Sequence, residues 1–262
     1  MNVRVVVVKR RLWLGALVAA LAVPSLPVNA DYSATVLADG PVGYWRLGDG
    51  ASSATASDAT GSGYDGIYTR GIASAPGPCG ATAAAFDGFT AWITVPVGNG
   101  TPPWPFNFAN GFTVEAWVIN AGQDVNPPHA SLGRIASNGN PGNIGWGFGI
   151  LDPGRGEGLR FTTYGVKDYD STMAIVPEDS TWHHVAVVFD STNAANFYLD
   201  GVLLETIAGP GPVRSAGAFD LEIGRNPVSS AQEFFNGNIG EVAIYNYELT
   251  SGQILAHFGA CH

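Results

Sequence analysis

TWHHVAVVFDSTNAANFYLDG, Thr181 to Gly201, is the stretch that decides the fold. Residues 182–189 are mostly aromatic and β-branched, and no Gly or Pro follows until Gly201, which is the composition of a strand buried on at least one face. Alternation sends Trp182, His184, Ala186 and Val188 to one side and His183, Val185, Val187 and Phe189 to the other. Both sides are mostly apolar. The polar segment 190–196 turns the chain, and Phe197-Tyr198-Leu199 starts a second strand. Asp200-Gly201 then stands between Leu199 and Val202-Leu203-Leu204; Asp-Gly between apolar runs signals a tight hairpin, because both residues tolerate positive φ. Three successive antiparallel strands are expected here.

Shorter pieces of the same kind fill the rest of the chain. Strands are expected at 42–47, 64–69, 83–86, 91–95, 112–120, 132–137, 146–151, 158–164, 218–224 and 238–245, separated by Gly, Pro and Asn. Segment 48–63 reads as a surface loop, and 138–143 is too rich in Gly and Asn for a ladder. The prolines at 102, 103 and 105 place Trp104 on a stiff loop. Segment 165–177 reads as either a loop or an edge strand. A helical turn is expected at 32–38, and a final helix from the cap Thr250 through His257, with Leu249 and Ile254 placed as a hydrophobic staple.

The motif Trp182-His183-His184-Val185-Ala186, followed by Tyr198-Leu199-Asp200-Gly201 and the run from Phe235 to Asn246, resembles the LamG-like jelly-roll domains of the concanavalin A-like lectin/glucanase group. The run from Ala38 to Asp49 and Phe112-Thr113-Val114-Glu115-Ala116-Trp117-Val118 resemble the same family in the same order. The resemblance implies an all-β, two-sheet antiparallel jelly-roll sandwich with a short C-terminal helix. It also implies a possible structural calcium, held by Asp58 in the loop Asp58-Ala59-Thr60-Gly61. Gly240 stands where related sequences commonly place a second acidic ligand.

Residues 1–30 read as a secretory signal peptide: Arg4, Lys9, Arg10 and Arg11 precede an apolar stretch and a Val28-Asn29-Ala30 cleavage site. Residues 31–262 then form one domain, expected to be secreted to the extracellular space, the cell surface or the periplasm. The leader holds four of the twelve basic residues and none of the twenty-two acidic ones, so the mature chain carries eight against twenty-two, a net charge of −14. Such a chain lacks the electrostatic footprint of a nucleic-acid binder and is repelled by anionic membranes. No membrane insertion is expected after leader removal. Cys79 and Cys261 are the only cysteines, and in an oxidising compartment they suggest one disulfide, with two free thiols as the alternative.

His183 and His184 are neighbours on a strand and point to opposite faces, so they cannot converge on one ion. Glu115 lies among apolar residues, a setting that could raise its pKa and make it an acid. Pairing with an arginine such as Arg46 or Arg160 is the stronger expectation. No second carboxylate accompanies it, and the Glu-x-Asp-x-x-Glu motif of jelly-roll glycosidases is missing, which argues against a polysaccharide-active enzyme. For ligand binding, loop aromatics that stack on sugar rings and amides that bond hydroxyls point to Trp104, Asp124, Asn138, Asn140 and Tyr169. The expected function is therefore a non-catalytic carbohydrate-binding or cell-surface recognition module. The alternative is an exported structural or adhesion protein that binds a surface protein.

Overall fold

The computed structural model describes residues 31–50, 52–69, 72–96, 111–123, 132–140, 144–211, 213, 219–226 and 233–261. Among these residues two antiparallel sheets face each other. Sheet A runs β14 (Val202–Ala208), β13 (Ala194–Leu199), β12 (His183–Phe189), β7 (Phe112–Asn120), β16 (Asn236–Tyr245), β5 (Thr82–Asp87) and β4 (Ala73–Pro76), and β1 (Gly43–Trp45) also pairs with β16. Sheet B runs β11 (Lys167–Ile175), β10 (Gly158–Thr163), β9 (Ile144–Leu151), β8 (Leu132–Asn140), β15 (Leu221–Ile223), β6 (Trp92–Val95), β3 (Gly66–Thr69) and β2 (Thr55–Ala56). This is the expected jelly-roll sandwich.

The expected alternation in β12 explains the layering. Val185, Val187 and Phe189 enter the core between the sheets, where Phe189 meets Phe161 at a ring separation of 5.1 Å and Phe112 at 5.9 Å. Ala186 and Val188 face the other way, into a second apolar cluster with Trp117, Tyr198 and Tyr245. That cluster is roofed by α1 (Tyr32–Ala38) and α2 (Ser251–Gly259) through Tyr32, Val36, Ile254 and Phe258. Sheet A is therefore the middle layer of three, which is why both faces of its central strands are apolar.

Local chemistry sets the boundaries. Asp200 and Gly201 have φ values of 50° and 78°, the paired left-handed residues that a two-residue hairpin requires, and Leu199 pairs with Val202 across them. Thr250 Oγ1 accepts from Gln253 N at 3.2 Å while Gln253 Oε1 accepts from Thr250 N at 3.0 Å, closing a capping box at the start of α2. Leu249 and Ile254 are both buried there. Cys79 and Cys261 are disulfide-bonded, tying the end of α2 to the turn before β5.

Two expectations change, and one left open is resolved. Residues 138–140 stay in β8, where Gly139 opposes Gly145, because two glycines facing each other let the strands approach without side-chain conflict. Segment 165–177 forms β11, an edge strand. The short strands β2 and β4 lie in segments expected to be irregular. The edges β11 and β14 protect each other: Glu205 accepts from Thr172 N at 2.8 Å and Met173 N at 3.1 Å, and Lys167 Nζ donates to Ala208 O.

Phe189→Ala should lower unfolding free energy by about 3–5 kcal/mol in urea denaturation, because it empties the aromatic centre between the sheets. Leu255→Ala, at an exposed site of α2, should change it by less than about 0.5 kcal/mol. Equal effects of the two would contradict the layering.

Candidate functional site

Glu115 sits on the outer face of sheet A beneath α2 and is fully buried. It is not paired with Arg46 or Arg160, contrary to expectation. His184 Nε2 donates to it at 3.2 Å, His257 Nδ1 at 3.0 Å and Tyr245 Oη at 2.8 Å. Burial alone would raise this carboxyl, but hydrogen bonds from His184 and His257, with the charge of His257, hold it at about 2. Glu115 is thus a buried anion held by histidines and a tyrosine. His257 Nε2 also donates to Asp39 at 2.9 Å. Burial opposes charging of His257, yet Glu115 and Asp39 outweigh it and its pKa is raised. Arg46 instead pairs with the buried Glu241 at 3.1 Å, and Arg160 pairs with Asp168 and Asp170.

Asp58 was the calcium candidate. Its Oδ1 accepts from Tyr44 N at 3.2 Å, Thr60 N at 3.0 Å and Thr60 Oγ1 at 2.8 Å, and its Oδ2 accepts from Tyr64 N at 3.2 Å. Donor hydrogens therefore occupy the directions from which a cation would approach, and among the described residues no three His, Cys, Asp or Glu side chains converge. Asp58 here satisfies backbone and hydroxyl donors of its own turn and of its neighbours. A Cβ on Gly240 would lie 3.1 Å from the Ala83 methyl, so packing accounts for the glycine there.

Of the expected ligand residues, Trp104 and Asp124 lie outside the described residues, as does the side chain of Asn140. The structure corrects the other two. Asn138 is buried in β8 and donates to Phe219 O at 2.6 Å, and Tyr169 points inward from β11 against Phe161 and Phe189. Neither is an exposed loop residue.

The polar surface that the fold does organise is the outer face of sheet B. Strand register sets Thr94, Glu222, Ser137, Gly147, Thr162 and Asp168 in one row across six strands. The middle of the row is covered: a Cβ on Gly147 would lie 2.5 Å from Tyr164 Oη and 2.9 Å from Arg134 Cζ, so glycine lets those two side chains lie over the strand. Arg134 donates to Glu233 at 2.6 Å and to Thr162 Oγ1 at 3.0 Å. Thr162 donates to Asp168 at 2.8 Å, and the Asp168 and Asp170 side chains remain about half exposed. At the other end Trp92 is partly exposed, with the Arg225 guanidinium 3.9 Å from its ring centroid. Arg225 in turn holds Glu222, whose carboxyl is raised by burial against the opposing pull of Arg225 and Thr94. Ser137, Thr162, Glu222 and Arg134 are buried within this bonded row, so the polar groups it leaves to solvent are Asp168 and Asp170 at one end and the Trp92–Arg225 pair at the other.

The profile of the concanavalin A-like lectin/glucanases superfamily matches residues 87–255. No curated protein matches the chain. Among solved structures, domain 4 of AbnA, an extracellular GH43 arabinanase from Geobacillus stearothermophilus solved with arabinotriose, is 20% identical with a TM-score of 0.59, over 83% of this chain and 97% of that one. A botulinum neurotoxin type C structure, described by cell entry that depends on two ganglioside molecules, is 14% identical with a TM-score of 0.60, over 88% of this chain and 53% of that one. The binding domain of botulinum neurotoxin DC with rat synaptotagmin II is 14% identical with a TM-score of 0.57, over 86% and 52%. At these identities the likeness is one of fold.

The buried Glu115–His257 pair gives stability a defined pH window. Glu115 is depressed from an ordinary 4.5, so its contribution is complete above that value and fades as pH falls toward 2. His257 is raised from 6.5, so its contribution is complete below that value and fades as pH rises through the raised one. Thermal unfolding followed by circular dichroism should therefore give its highest Tm between pH 4.5 and 6.5. His257→Gln should lower stability by about 3 kcal/mol and flatten the alkaline decline, leaving only the part due to His183, which Asp200 also raises. An unchanged alkaline limb in that variant would contradict the assignment.

Proposed function

Because this chain belongs to the concanavalin A-like lectin/glucanase superfamily, we propose that it is a secreted, non-catalytic carbohydrate-binding module whose recognition surface is the outer face of sheet B. The observation that carries this reading is the partly exposed Trp92, set on a strand and braced by Arg225 at the end of a row of fixed polar groups. A ring on a rigid strand offers stacking area at little entropic cost on the part that Arg225 and Phe234 leave uncovered, and the half-exposed Asp168 and Asp170 at the other end of the row supply acceptors. The arabinotriose and ganglioside described for two structural neighbours make a sugar the natural first class of ligand.

The non-catalytic part rests on the carboxylates. Glycoside hydrolysis needs an acid and a base facing each other across the bond. Glu115 is buried and committed to three donor side chains, while Glu222 and Glu241 are each buried under an arginine. Secretion is supported by the leader pattern of residues 1–30 and by the Cys79–Cys261 bond.

A protein partner is the second reading, and one observation favours it. Val202, Leu203 and Leu204 next to the β13–β14 turn are exposed, as is Leu255 on α2, whose Cδ1 lies 3.1 Å from a Cβ built on Gly201. Reversible self-association or protein capture that Leu204→Ser abolishes, without dependence on sugar, would favour that reading.

Affinity electrophoresis in gels containing arabinan, galactan, xylan or mixed-linkage glucan tests the first reading. Retardation in at least one gel is expected, and Trp92→Ala should weaken it by about tenfold, the contribution of one stacked ring, without loss of fold. No retardation in any gel, or retardation indifferent to Trp92, would contradict the sheet-face site.

A further inference from the structure

A second opening lies away from the sheet-B face, where the segment after β1 passes the start of β5. It is a cleft of about 350 Å³, near the lower end of the range for small-molecule sites. Arg46 and Asp49 line it, with Ser57, Thr82 and the methyls of Ala59 and Ala81. A Cβ on Gly48 would lie 2.7 Å from Thr82 Oγ1, so only glycine lets the chain run along this wall.

The polar groups of the cleft are held before any ligand arrives. Arg46 donates through Nε and Nη2 to Glu241 at 3.1–3.3 Å. Glu241 is fully buried and also accepts from Tyr44 Oη. One edge of the guanidinium is therefore fixed inward, while the side chain as a whole stays 41% exposed. Asp49 accepts one bond on each oxygen, from Ser57 N at 3.2 Å and from Tyr68 Oη at 2.9 Å. Each carboxylate oxygen can accept two, so one acceptor direction on each is still available. Thr82 Oγ1 spends its proton on Gly48 O at 3.0 Å, leaving its lone pairs.

The backbone around the opening is also unusual. Leu47, Cys79 and Glu241 have φ values of 61°, 55° and 55°, a left-handed region that costs a non-glycine residue energy and persists only where surrounding packing enforces it. The Cys79–Cys261 bond anchors the turn that leads into Ala81.

The charges select the ligand. Glu241 neutralises Arg46, and Asp49 adds a negative charge, so a free anion is disfavoured. Arg46 brings donors and Asp49 acceptors to the same cleft, a pairing that suits two adjacent hydroxyls, one accepting from Arg46 and one donating to Asp49. We propose that this cleft binds a single neutral sugar unit through a vicinal diol held between Arg46 and Asp49. The cleft shares no lining residue with the sheet-B row and does not rest on that reading.

Titration of ¹⁵N-labelled protein with L-arabinose, D-galactose, D-mannose and D-glucose tests it, with D-galacturonate as the charged comparison. At least one neutral sugar should shift the Arg46 Nε–H and the Ser57 and Ala59 amides, saturating at roughly millimolar concentration. Ala59→Phe, which fills the cleft from an exposed position, should weaken that binding by about tenfold or more. Asp49→Asn, which keeps the shape of the side chain, should weaken it too, so the result does not hang on one variant. The absence of saturable shifts at Arg46 with every neutral sugar would overturn the proposal, as would preference for galacturonate. Shifts confined to the Trp92 indole would also overturn it while supporting the sheet-face site.

Discussion

The burial of sheet A on both faces is the constraint from which the rest of the structure follows. A strand covered by a second sheet on one side and by helices on the other cannot alternate apolar and polar residues, so β7, β12 and β16 carry apolar side chains in both directions. Any ionisable group placed there must be fully satisfied, since an unpaired buried charge costs several kcal/mol. Glu115 is that group, and its three donor side chains come from β12, β16 and α2. The carboxylate thus selects the docking position of the C-terminal helix, which Trp117 and Phe258 then reinforce by stacking at 5.8 Å. The disulfide holds the far end of the same helix.

Because sheet A is committed to packing, the recognition surfaces proposed above lie on sheet B and at the margins. The inward residues of sheet B, including Trp146, Phe148 and Phe161, supply half of the core, while its outward residues form an ordered polar layer. That layer is built from paired charges packed over glycines, so its geometry is fixed without a ligand. Preorganisation of this kind lowers the entropic cost of binding a flexible, hydroxyl-rich molecule.

Much of this was legible in the chain. The segment 182–201 announced a two-sided strand, a turn and a hairpin, and β12 to β14 follow that order with Asp200-Gly201 in the required conformation. The cap at Thr250 was equally readable. The partners of Glu115 were not, because His184 lies sixty-nine positions away and His257 one hundred and forty-two, and only the fold brings them together. The binding surface was sought on loops, through Asn138 and Tyr169, since polar and aromatic residues beside glycines look exposed in one dimension. Strand extension carried Asn138 into the ladder, and the inward phase of β11 buried Tyr169. A usable signal did exist: Gly145, Gly147 and Gly149 recur at every second position of β9, the mark of a strand face that neighbouring groups approach closely.

Native-state amide hydrogen exchange tests the double burial of sheet A most directly. The amides of residues 114–118 and 185–188 should exchange only through global unfolding, with protection equal to the full unfolding free energy, while those of the β14 edge exchange sooner by local opening. Exchange at 114–118 as fast as at the β14 edge would mean that the central strands open independently of the two layers said to enclose them, and would contradict the account.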